Sequence, residues 1–182
     1  MVVELVVKLI LIGDGTVGKT SIRLKYMGFN FNPTYLRTIG ADFALKNIKL
    51  SDGSTLTAQI WDLAGQIKFN SLRNNYIQGT HSAVIVYDVS NFESYNNVVN
   101  WYQMISKTYP SNLPIIIVAN KTDLRQQVET LSEEEGESLR TDLARKNGDK
   151  KVYYLETSAK TGENVDKLFS IIAEEVIRIY KL

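Results

Sequence analysis

An apolar run from Leu5 to Ile12 passes without interruption into Gly13-Asp14-Gly15-Thr16-Val17-Gly18-Lys19-Thr20, and a helix-forming stretch follows at once. Strand, glycine-rich loop and helix in that order leave few folds open. A run that is apolar at every position but Lys8 suits a strand covered on both faces, and the octet matches the spacing of a phosphate-cradling loop. In such a loop the backbone N–H groups converge on phosphate oxygens, while the next helix presents its positive dipole end to the same anion. Glycines 13, 15 and 18 are expected to take up positive φ and to let the chain pass close to a ligand. Lys19 is expected to reach terminal phosphates, and the Thr20 hydroxyl to ligate Mg²⁺. Asp14, Gly15, Thr16, Val17, Gly18 and Ser21 complete the predicted cradle. The pattern implies a nucleoside triphosphate site; the alternative is a glycine-rich turn without a ligand.

The rest of the chain alternates apolar runs with amphipathic stretches, the pattern of an α/β fold with helices on both faces of a largely parallel sheet. Six strands are expected. Leu5–Ile12, Ala83–Tyr87, Pro114–Ala119 and Val152–Leu155 read as parallel strands, whereas Phe43–Leu50 and Thr55–Trp61 flank Asp52-Gly53, a tight-hairpin signal that makes one strand antiparallel. Helices are expected at Lys19–Met27, at Phe92–Tyr109 behind a Ser90/Glu93 capping box, and after a second such box at Ser132/Glu135. The last helix carries Val165, Leu168, Phe169, Ile172, Ala173 and Val176 at helical spacing. Its polar face is mixed rather than basic, which favours core packing over a membrane surface.

With 182 residues, one domain over 1–182 is expected. Twenty-one basic against 20 acidic residues give a net charge of +1, which offers no bulk attraction to nucleic acid. The sequence has no cysteine, so disulfides, thiol catalysis and prenylation or palmitoylation are not expected, and with valine at position 2 neither is N-myristoylation. The expectation is a cytoplasmic monomer without a direct lipid anchor, recruited to membranes, if at all, through partners.

Two further clusters sharpen the chemistry. Asp62-Leu63-Ala64-Gly65-Gln66 follows the strand Gln59-Ile60-Trp61. A carboxylate there can hold Mg²⁺ through water while the Gly65 N–H faces a terminal phosphate, and Gln66 is placed to orient an attacking water. Asn120-Lys121-Thr122-Asp123 follows Ile115–Ala119. The Asp123 carboxylate can accept two hydrogen bonds from guanine, whereas adenine would leave it buried and unpaired. Thr157-Ser158-Ala159-Lys160 is positioned to supply a backbone N–H to the guanine oxygen.

Together these segments resemble a small GTPase of the Ras superfamily, over nearly the whole chain and with all five guanine-nucleotide motifs in order. The resemblance implies a P-loop NTPase G domain that binds GTP or GDP with Mg²⁺. It implies that Thr38, in Arg37-Thr38-Ile39-Gly40, meets the γ-phosphate and joins Thr20 and Asp62 at the metal. It places Phe31 edge-on to guanine and Tyr35 over the phosphates, with Lys19, Gly65 and Gln66 as the catalytic set. Ile39-Gly40-Ala41-Asp42-Phe43, Ala58-Gln59-Ile60-Trp61 and Tyr76-Ile77-Gln78-Gly79 resemble Rab segments in particular. Effectors, exchange factors and activating proteins would then meet switch loops 31–43 and 62–79, with Phe43, Trp61 and Tyr76 as an exposed aromatic cluster.

The match has departures. Rab proteins end in a tail with prenylatable cysteines, and Leu63 replaces their usual threonine. Arg37 adjoins Thr38, but a built-in arginine finger belongs three residues before the threonine, where this chain has Tyr35. His81 is the only histidine and is expected at the surface or a helix end. The expected function is a two-state switch, in membrane traffic or related signalling, that hydrolyses GTP slowly unaided. The alternatives are a nucleotide-locked scaffold that hardly hydrolyses, and an adenine-using P-loop kinase or ATPase.

Overall fold

The computed structural model describes residues 5–32, 38–50, 53–65, 76–109, 113–146, 148 and 151–180. Six strands form one sheet: β1 (Leu5–Ile12), β2 (Ala41–Lys49), β3 (Thr55–Leu63), β4 (Ser82–Asp88), β5 (Ile115–Asn120) and β6 (Val152–Thr157). Their order is β2-β3-β1-β4-β5-β6, and only the β2–β3 pair is antiparallel. The helices are α1 (Lys19–Tyr26), α2 (Phe92–Asn96), α3 (Val98–Thr108), α4 (Glu133–Lys146) and α5 (Val165–Tyr180).

Side chains alternate across each strand, so one apolar run feeds two cores. Leu9 and Leu11 of β1, Val84 and Val86 of β4, and Ile116 and Val118 of β5 meet Ile22 of α1 and the apolar stripe of α5. Their neighbours Ile10, Ile12, Ala83, Ile85, Ile115 and Ile117 turn to the other face, against Trp101, Tyr102 and Ile105 of α3 and Leu143 of α4. All six stripe residues of α5 are buried, and Phe169 stacks on Tyr26 at 3.9 Å between centroids. That stripe is core. No helix among the described residues is long and apolar enough to cross a membrane.

Several elements differ from expectation. The expected helix over 92–109 is two helices meeting at Asn97, which caps the end of α2 and the start of α3. Asparagine's short amide competes with helical hydrogen bonding, and Asn97 sends its amide nitrogen to Asp14 instead. Nor does Ser90 cap α2. Its hydroxyl donates to Asp88 Oδ1 at 2.7 Å, and Asn91 takes over the cap, accepting from the Ser94 N–H at 3.0 Å. The Ser132/Glu135 box forms in both directions. The strands after β1 run one or two residues further toward the site than the apolar runs indicated, because Leu63, Asp88, Asn120 and Thr157 still pair in the ladder. In the β2–β3 hairpin Gly53 has φ 87° and Leu50 N–H donates to Ser54 O; Asp52 lies outside the described residues.

The chain leaves β1 for β3 on one side and returns to β4 on the other. In open α/β sheets, ligands bind at the carboxyl ends of the strands where the order reverses in this way. Gly13, Asp62, Asn120 and Thr157 all stand at or beside those ends.

Candidate functional site

At the end of β1, Gly13 adopts φ 136°, and a Cβ there would lie 2.2 Å from Val86 O. Gly18 has φ 100°, and its absent Cβ would lie 2.2 Å from Asn120 Nδ2. Only glycine fits at either place. Gly15, expected to share this geometry, does not; the left-handed turn falls on Thr16, with φ 65°. That conformation is costly for a β-branched residue, and such strain gathers at ligand clamps. Lys19 opens α1 and folds back, its ammonium donating to Gly13 O at 3.0 Å and Asp14 O at 2.5 Å. A cation thus sits inside the turn, buried to 6% exposure.

Beyond this loop opens a cavity of about 960 Å³, within the range of small-molecule sites. Of the predicted residues, it brings together Gly15, Thr16, Gly18, Lys19, Thr20 and Ser21 from the loop and α1. Phe31, Thr38 and Gly65 line it from the switch segments, and Asn120, Lys121, Asp123, Ala159 and Lys160 from beyond β5 and β6. Gly65 packs so tightly that a Cβ would fall within 2.5 Å of the Asp14 and Gly15 backbone. Tyr35, Arg37 and Gln66 lie outside the described residues.

Three predicted residues stand behind the wall rather than on it. Asp14 turns its carboxylate away from the cavity, where Oδ1 accepts from Trp101 Nε1 at 2.8 Å and Oδ2 from Asn97 Nδ2 at 2.7 Å. Val17 points into the core, and Ser158 is buried with its hydroxyl donating to Asp123 Oδ1 at 2.6 Å. A run of eight letters distinguishes loop from strand, but not which side chain of the loop faces outward. Leu24, Asn30, Asn32, Leu63, Ala64 and Leu124 also line the cavity. Leu63, which had no evident duty, is 3% exposed, packed in the second core and bordering the cavity.

Thr20, Thr38 and Asp62 converge as expected. Thr20 Oγ1 lies 3.0 Å from Thr38 Oγ1 and 2.5 Å from Asp62 Oδ2, and Thr38 Oγ1 donates to the same oxygen at 3.3 Å. Burial pushes the Asp62 carboxyl above its ordinary range, opposed by the Thr20 hydroxyl and the charges of Lys19 and Arg23. Asp62 Oδ1 is buried and has no hydrogen-bond partner among the described residues. Such an orphan acceptor calls for a partner. Two hydroxyls and one carboxylate suit Mg²⁺, which keeps several waters and shares its shell with phosphate oxygens. No group of three His, Cys, Asp or Glu side chains gathers among the described residues, so nothing here builds an all-protein metal cage.

At the other end, Asn120 binds three segments together. Its Nδ2 donates to Val17 O at 2.8 Å, while Oδ1 accepts from Thr157 Oγ1 at 3.1 Å and Ala159 N–H at 3.2 Å. Lys121 takes φ 69° and pairs with Asp88 at 2.5 Å. Asp123 is met by Ser158, and by Lys160 at 3.8 Å.

Outside the cavity, Phe43 stacks on Trp61 with centroids 4.9 Å apart, and Tyr76 lies 6.0 Å from Trp61. Phe43 is 51% exposed. Lys8 was not foreseen here. Its ammonium sits 4.7 Å from the Trp61 ring centroid and donates to Gln78 O at 2.8 Å. His81 is half-buried rather than at the surface; its Nδ1 accepts from the Lys8 N–H at 3.0 Å, and its ring meets Tyr180 edge-on.

Residues 8–178 match the model of the Ras family. The chain is 37% identical to the Ras-related protein RIC1 of Oryza sativa subsp. japonica, over 93% of this chain and 79% of that protein. It is also 37% identical to the Ras-related protein SEC4 of Candida albicans, over 94% of this chain and 80% of that protein.

Proposed function

The chain belongs to the Ras family, as a Rab-like small GTPase that hydrolyses GTP to GDP and phosphate, and from that premise we propose which of its residues bind, position and read the nucleotide. The observation that carries the reading is the convergence of Lys19, Thr20, Thr38, Gly65 and Asp123 on one cavity at the carboxyl ends of the strands. The backbone from Gly15 to Thr20 cradles the β- and γ-phosphates, and Lys19 neutralises charge that builds on them during in-line attack. Thr20 and Thr38 hold Mg²⁺, with Asp62 acting through water, and the bound ion supplies further neutralisation of the phosphate oxygens. Asp123 accepts two hydrogen bonds from guanine, and a backbone N–H of the segment Thr157-Ser158-Ala159-Lys160 serves the base oxygen. Gln66 orients the attacking water.

Loss of the γ-phosphate removes the contacts of Thr38 and Gly65, so loops 31–43 and 62–79 relax and the surface they present changes. One domain over 1–182 performs the cycle. The Phe43–Trp61–Tyr76 cluster, with Phe43 exposed and Trp61 and Tyr76 half-buried, is the surface that effectors read, in membrane traffic or related signalling. With Tyr35 rather than arginine three residues before Thr38 in the sequence, unaided turnover is expected at about 10⁻⁴ to 10⁻³ per second. A single-turnover assay with GTP and Mg²⁺ tests the catalytic assignment: Gln66→Leu should slow hydrolysis at least tenfold with GTP affinity unchanged. Equal rates would remove Gln66 from the mechanism.

A further inference from the structure

Asp42 and Asp62 are register partners in the antiparallel β2–β3 ladder. Side chains directly opposite one another share a face about 5 Å apart, and like charges there repel. Helix α1 meets this pair with two residues one turn apart. Thr20 Oγ1 donates to Asp62 Oδ2, and Arg23 Nη2 donates to Asp42 Oδ2, each at 2.5 Å. The two ends of the ion pair differ sharply in environment: the Arg23 side chain is 9% exposed and that of Asp42 60%. Arg23 Nε is buried and has no acceptor among the described residues. A guanidinium cannot lose its proton, so a permanent charge is held under α1, and among the described residues its ion-pair partner is the solvated carboxylate of Asp42. Its field reaches Asp62, where it opposes the effect of burial.

We propose that Arg23 is a built-in competitor for the metal, a fixed cation that weakens Mg²⁺ retention at Thr20, Thr38 and Asp62, with Asp42 setting how strongly it competes. The physical reason is Coulombic. A buried charge is screened less than a surface one, and a divalent ion feels a neighbouring cation twice as strongly as a monovalent ion does. Asp42 offsets the effect by partly neutralising the guanidinium. The inference rests on reading those three residues as the metal's holders.

The ion pair also ties α1 to β2, and a purely mechanical tether is the rival explanation. The two accounts separate by sign. If Arg23 acts through charge, removing either partner shifts Mg²⁺ binding in opposite directions; a tether broken from either side weakens it both times. The test titrates MgCl₂ into protein loaded with a fluorescent GDP analogue and reads the half-saturating Mg²⁺ concentration. Arg23→Leu should lower it about three- to tenfold, Asp42→Asn should raise it about twofold or more, and Arg23→Lys should leave it near the wild-type value. Raising the salt concentration should shrink the Asp42→Asn shift more than the Arg23→Leu shift, because Asp42 is solvated and Arg23 is buried. An unchanged or raised midpoint in Arg23→Leu overturns the proposal. Should Arg23→Leu fail to fold, Arg23→Gln supplies the same charge removal, and a lowered or unchanged midpoint in Asp42→Asn overturns the proposal independently. Asp62→Ala separates the premise from the inference. If it leaves the Mg²⁺ midpoint unchanged, the metal assignment itself fails. If it raises the midpoint while Arg23→Leu does not lower it, only the role of Arg23 fails.

Discussion

Replacing Asn120 with alanine should loosen the site more than any other single truncation outside the cores. Asn120 is 1% exposed, and its amide makes three hydrogen bonds, one to the glycine-rich loop at Val17 and two to the segment ending β6 at Thr157 and Ala159. Truncation strands the Thr157 hydroxyl and the Ala159 N–H, both in buried residues, along with the Val17 carbonyl. An orphaned buried group costs about 1–3 kcal/mol, and water entering from the cavity can satisfy one of the three. The expected loss is therefore about 3–5 kcal/mol, a fall of about 6–20 °C in Tm for a chain of this size. Thermal unfolding of the nucleotide-free protein followed by circular dichroism measures it directly. GDP release should accelerate at least tenfold in parallel, since Asn120 ties the glycine-rich loop at Val17 to the segment after β6 at Ala159. Asn120→Asp keeps the acceptor for Thr157 and Ala159 but sets a carboxylate against Val17 O, so its cost should fall mainly on nucleotide release. A double-mutant cycle with Thr157→Val should show coupling of about 0.5–3 kcal/mol. A Tm shift below 2 °C in Asn120→Ala, or no coupling to Thr157, would refute the reasoning.

Asp123→Asn should move base preference from guanine toward xanthine, because the amide donates where the carboxylate accepted; an unchanged preference in competition binding removes Asp123 from the base site. Trp101→Phe withdraws one of two donors from the Asp14 carboxylate and should cost about 1–2 kcal/mol, a Tm fall of about 2–8 °C, whereas an unchanged Tm would show that Asn97 suffices. Burial, and next the charge of Lys8, hold the His81 imidazole below its ordinary 6.5. The folded state therefore binds fewer protons than the unfolded one in that range, so this contribution is full above pH 6.5 and is lost as pH falls through the depressed value. Urea unfolding between pH 7.5 and 5 should show wild type losing stability faster than His81→Asn, and parallel profiles would remove His81 as the cause.

What separates the legible from the hidden is the range of the interactions involved. The glycine-rich octet, the paired apolar runs around Gly53 and the stripe of α5 depend on local spacing, and each stands where the spacing put it. The sheet order, with its reversal beside β1, follows from few topological rules once the strands alternate with helices. Residue choices that depend on a distant partner were less visible. Asp14 reads as part of a phosphate cradle, yet its carboxylate is claimed by Asn97 and Trp101, more than eighty positions away. Ser90 has the spacing of a cap, but Asp88 competes for its hydroxyl and Asn91 caps in its place.

The primary structure by itself determined the α/β class, the glycine-rich loop after the first strand and most of the residues that gather around one cavity, because these depend on periodicity and on groups close together along the chain. Only the tertiary structure decided that Thr16 rather than Gly15 carries the left-handed turn, that Asn120 joins three segments, and that Arg23 lies buried between α1 and two opposed carboxylates. Such outcomes turn on which polar group finds a partner once water is excluded, and that is settled by packing across the sheet.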